Sequence, residues 1–73
     1  MNQVLIKLTA VGCQTSTVTQ YFSEAKTVLI NPFKIMCVIT NKKGVTEIRD
    51  EAGRNTVLVK ESPEEIYEML NKN

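Results

Sequence analysis

Seventy-three residues, nine basic and eight acidic, with no histidine, make one domain at most and give no bulk electrostatic case for nucleic acid. The missing histidine removes the usual general base and the Cys–His and Ser–His nucleophile pairings. It also leaves any zinc site to two thiolates and carboxylates. No apolar run approaches the roughly 20 residues that cross a bilayer.

Taken in chain order, Gln3–Thr9 alternates Val4, Ile6 and Leu8 on one face and reads as a strand. Gly12–Phe22 is rich in Ser and Thr, which suit a loop or an exposed strand equally. A helix over Thr15–Ala25 is the competing reading. Ser23–Lys26 has turn character, and Thr27–Ile30 is a strand. Asn31-Pro32 interrupts it, because proline cannot donate to a ladder, so a bulge, kink or short 3₁₀ turn is expected there. Phe33–Thr40 resumes as a strand, and Asn41-Lys42-Lys43-Gly44 has hairpin chemistry. Val45–Asp50 and Thr56–Lys60 are two further strands around a loop over Glu51–Asn55.

The last segment carries the clearest local signal. Ser62 is an N-cap, Pro63 sits at the first helical position, and Glu65 completes a capping box. Ile66, Met69 and Leu70 then form one apolar stripe, predicting a helix over 63–71. The expected fold is mainly β: a small antiparallel sheet or half-open barrel of four to six strands, with one C-terminal α-helix on it.

Ile35–Ile39 and Val57–Val59 are apolar at every position, whereas a sheet with one wet face alternates. One short helix covers only part of one face. The sheet must therefore curl into a small barrel or pack against a second copy. That pattern predicts a non-catalytic interaction or assembly module, homo-oligomeric, with itself as the expected partner and any other protein partner unnamed by these residues.

No catalytic, cofactor or metal residues are assigned. Cys37, between Met36 and Val38, reads as a buried thiol, and Cys13, beside Gly12, as one nearer the surface. No base partners either. Two reduced thiols and no signal-peptide pattern point to the cytoplasm. Asp50 with Glu51 reads as a solvated turn. The alternative function is a small nucleic-acid-binding regulator using a basic hairpin surface of Lys42, Lys43, Arg49 and Arg54, with Tyr21 and Phe22 available for stacking. Lysines that protect a sheet edge are the plainer account of the same charges.

Three blocks in order, Ile6-Lys7-Leu8-Thr9, Leu29-Ile30-Asn31-Pro32 with Ile35, and Val57-Leu58-Val59-Lys60-Glu61-Ser62-Pro63-Glu64-Glu65-Ile66, resemble the FlbD/SwrD-like small bacterial motility-associated proteins. Those begin with an "IKLT" strand, carry a hydrophobic-Ile-Asn-x-x-x-Ile segment and end with "VVKES-x-E-E-Ile" opening a helix. The family's Asn-Gly turn after "IKLT" is absent here. The resemblance implies a strand-rich domain ending in a helix and an auxiliary, non-enzymatic role, in a protein of bacterial or phage type.

Overall fold

The structure, a computed structural model, describes residues 5–50 and 55–71. Alternation of Ile6, Leu8 and Ala10 drives β1 (Ile6–Gln14), which turns back into β2 (Thr19–Ile30). A 3₁₀ turn at Pro32–Lys34 leads to β3 (Ile35–Thr40), followed by β4 (Thr46–Asp50), β5 (Thr56–Val59) and α1 (Pro63–Asn71). All pairings are antiparallel, and the strand order is β2-β1-β5-β4-β3. Among the described residues the fold is thus mainly β, five strands in one open sheet with a single C-terminal helix. Of the expected elements, Glu51–Arg54 and the first residues of the Gln3–Thr9 strand lie outside the described residues.

One local ambiguity is resolved and one local expectation corrected. Gly12–Phe22 follows its exposed-strand reading at both ends, around a turn at Thr15–Val18, and the competing helix over Thr15–Ala25 is not formed. The turn is closed by the Thr15 N–H donating to the Val18 carbonyl at 2.8 Å, with Thr15 Oγ1 accepting the Val18 N–H at 3.2 Å. Hydroxyls that serve a turn this way make a Ser/Thr run ambiguous in sequence. Ser23–Lys26 is not the expected turn. It continues β2, with Phe22–Ala25 bulging opposite Val11, since Ala10 pairs with Lys26 and Gly12 with Tyr21.

Val11 is also the extra residue against β5, where Ala10 faces Val59 and Gly12 faces Leu58. A bulge in both ladders bends β1 at one point. Gly12 is required there: a Cβ would lie 2.5 Å from the Gln20 carbonyl oxygen and 3.2 Å from Tyr21 Cα.

The curl follows from chain length. In a flat sheet the outer strands β2 and β3 would stand about 19 Å apart, at about 4.8 Å per strand. Only Asn31 and the 3₁₀ turn connect them, and such a turn advances about 2 Å per residue. The sheet must therefore roll until its outer strands approach at that end. Inside the curl lie Ile6, Leu8, Ile48 and Val59, closed over by Ile66 of α1, with Val28, Ile30, Ile35, Val38, Val57 and Met69 around them.

The helix starts where expected. The Glu65 N–H donates to Ser62 Oγ at 3.1 Å, and the Ser62 N–H donates to Glu65 Oε1 at 3.0 Å. This is a reciprocal capping box that satisfies two end donors.

Candidate functional site

Register decides which side chains share the face opposite the core. Across it, Tyr21 is level with Gly12, Gly12 with Leu58, Leu58 with Glu47, and Glu47 with Ile39. Leu58 is fully buried and forms the floor of a cleft of about 430 Å³, with Tyr21 and Thr19 on one side and Asn41, Lys42 and Lys43 on the other.

The basic side of the cleft is a braced turn. Asn41 Oδ1 accepts the Lys43 N–H at 2.9 Å and the Val45 N–H at 3.0 Å. Gly44 takes φ +81°, which a side chain would resist. Lys42 and Lys43 are exposed, and Lys43 Nζ stands 5.8 Å from the centre of the Tyr21 ring. That arrangement is a cation–π contact.

Glu47 is the buried acid of this face, 7% exposed. Its Oε1 accepts from Arg49 Nη2 at 3.2 Å, two residues along the same strand and on the same side. A carboxylate removed from water needs such a partner. Arg49 is thereby committed to Glu47 and offers little free charge.

Of the basic residues expected to form one surface, Lys42 and Lys43 meet in the cleft beside Tyr21. Arg49 is on that face but engaged, and Arg54 lies outside the described residues. Phe22 does not join Tyr21: it sits in the β2 bulge, with Lys26 Nζ 4.8 Å from its ring centre. Gln14, Thr19, Glu47 and Leu58 were missed as cleft residues. Only the placement of Glu47 and Arg49 two apart in a strand signals their common face.

Cys37 departs from its expected burial. It is half-buried, on the same face as Arg49, with which it pairs; Cys13 is also half-buried, and both thiols are free. Of the Asp50–Glu51 pair, Asp50 is half-buried and its Oδ1 is enclosed with no hydrogen-bond partner among the described residues, while Glu51 lies outside them.

The apolar strands part company. Val57, Leu58 and Val59 are covered on both faces by the chain itself. Along the turn and β3, by contrast, Phe33 is 78% exposed, Met36 69% and Ile39 38%. Nothing in either arrangement pairs a nucleophile with a base. The cleft brings together two lysines and a ring, and the turn and β3 leave hydrocarbon exposed.

Compared with known protein families, with characterised proteins and with solved structures, the chain matches none. Among the described residues no helix is long and apolar enough to cross a membrane.

Proposed function

We propose that this chain is a non-catalytic interaction and assembly module that works as a homo-oligomer. One observation carries the reading: Phe33, Met36 and Ile39 follow one another along the turn and the outer strand β3 and are all exposed, whereas Leu29 on the other outer strand and Leu5, Val18, Tyr67 and Leu70 are exposed elsewhere in the chain. A core this small contributes only about 3–5 kcal/mol of net stability, and association is a common supplement. Two free thiols suit a cytoplasmic setting. The resemblance to motility-associated proteins adds an auxiliary role, non-enzymatic, in a bacterial or phage context.

Size-exclusion chromatography with light scattering across micromolar concentrations tests this reading. A mass that rises with concentration to a multiple of the chain supports it. A constant monomer mass removes it.

A second reading, nucleic-acid binding, is favoured by Lys42, Lys43 and Tyr21 sharing one cleft. Tyr21 would stack on a base and the lysines would meet phosphates. With Arg49 engaged by Glu47, few phosphates are neutralised, so affinity would be weak and fall with salt along a shallow log–log slope. Fluorescence anisotropy with single- and double-stranded probes at low salt is the measurement. Binding lost in Lys42→Glu/Lys43→Glu supports this reading, and no binding at tens of micromolar eliminates it.

A further inference from the structure

Building on the assembly reading above, we infer that two copies join edge to edge through β3, antiparallel about a two-fold axis, so that one sheet runs through both. The partner is a second copy of this chain.

The backbone of β3 is set for it. The Asn41 N–H donates to the Val45 carbonyl at 2.9 Å, which makes that couple a hydrogen-bonded pair. Antiparallel pairs alternate between bonded and non-bonded. Along the ladder, Thr40–Thr46 and Val38–Ile48 are then non-bonded, while Ile39–Glu47 and Cys37–Arg49 are bonded. The peptide groups of Val38 and Thr40 consequently point away from β4, towards the open side of the sheet.

The two outer strands differ in how they meet solvent. Both carry a bulge, β2 over Phe22–Ala25 and β3 at Met36, which leaves β3 regular from Cys37 to Thr40. But β2 also carries Glu24 and Lys26, charges that discourage pairing with another strand. β3, Ile35-Met36-Cys37-Val38-Ile39-Thr40, has no charge and no proline. An uncharged strand is complementary to itself: antiparallel self-pairing sets no like charges opposite one another within it. A charged peptide would find no counter-charge along this edge. Self-pairing about a two-fold is also isologous and closes at two copies, so it does not run on into a fibre. Ile39 and Met36, exposed in the single chain, would gain cover from the partner strand.

The test uses full-length chains. Ile39→Lys and Ile39→Glu, at an already exposed position, each place like charges near the axis, and each should be monomeric by light scattering with an unchanged circular dichroism spectrum. Mixed in equal amounts, the two should recover a heterodimer, since opposite charges then face. Met36→Lys is the second variant should Ile39 substitutions perturb the fold. Leu29→Lys, on the other outer strand, should leave association intact. In the native protein, hydrogen exchange at the Val38 and Thr40 amides should slow as concentration rises, and in Ile39→Lys it should not. If the native chain associates but these variants do too, with Leu29→Lys abolishing association, the edge pairing is wrong and the assembly reading survives. A native chain that is monomeric at every concentration overturns both.

Discussion

The Glu61 carboxylate accepts the Thr9 N–H at 2.8 Å across 52 positions of sequence. One residue earlier, the Lys60 N–H donates to the Thr9 carbonyl at 2.9 Å. The two bonds continue the β1–β5 junction past Ala10–Val59, the last registered pair, and Glu61 reaches Thr9 just before the chain enters α1. Thr9 and Glu61 belong to the first and last of the three sequence blocks singled out above. The middle block joins them, because Ile30 pairs with Ile6 and Leu29 with Lys7. What looks like three scattered stretches is one corner of the molecule.

Glu61→Ala should therefore cost about 1–2 kcal/mol, the worth of a half-buried hydrogen bond to a charged acceptor. Glu61→Gln, which keeps an oxygen in place, should cost less. Urea denaturation followed by circular dichroism measures both, and equal midpoints for all three proteins would show that the contact adds nothing.

Ser62→Ala removes one arm of the capping box and should lower stability by about 1 kcal/mol. Ser62→Asp retains a capping oxygen and should restore most of the loss. A denaturation midpoint unmoved by Ser62→Ala would mean that the helix does not depend on this cap.

Gly12→Ala is the most damaging single change expected. Its methyl group would meet backbone, the Gln20 carbonyl oxygen at 2.5 Å, and not a yielding side-chain tip. The cost should reach about 3 kcal/mol or more. In a domain of this size that lowers Tm by upwards of about 10 °C. Thermal melts decide it: a loss under a few degrees would show that the bulge at Val11 relaxes freely.

Arg49→Ala leaves the Glu47 carboxylate buried without its cation. Because the Arg49 side chain is itself 48% exposed, the expected cost is about 1–2 kcal/mol, below the roughly 3–5 kcal/mol seen when a fully buried pair is broken. The double variant Arg49→Ala/Glu47→Gln should recover part of that loss. A double-mutant cycle with no coupling would show the pair to be a bystander.

Cys13 and Cys37 should react with iodoacetamide at comparable rates in the native protein, since both are half-buried. Mass spectrometry over a time course checks this. A Cys37 that reacts only in denaturant would place it deeper than its position across from Arg49 allows.

Sequence alone determined the features that depend on neighbours in the chain. The Ser62–Glu65 cap, the helix over 63–71, the Asn31-Pro32 interruption and the Asn41–Gly44 turn are each written in a few adjacent residues. Their hydrogen bonds close within four positions. The alternation of Ile6 and Leu8 likewise announced a strand with one buried face. Of the two continuous apolar runs, Val57–Val59 is covered as expected, whereas Ile35–Ile39 keeps Met36 and Ile39 exposed in the single chain.

Tertiary structure decided everything that depends on register. The turn at Thr15–Val18 was hidden because Ser and Thr serve turns and exposed strands with the same hydroxyl. The bend at Val11 appears only when β1 is read against two partners at once. Pairing also fixed that Cys37 would share a face with Arg49 and leave the core, and that Tyr21 would stand over Lys43 while Phe22 turned elsewhere. A shift of one residue in a strand exchanges its two faces. The choice between shifts is made by the total burial of Ile6, Leu8, Ile48, Val59 and Ile66 together, a sum that no local stretch of the chain contains.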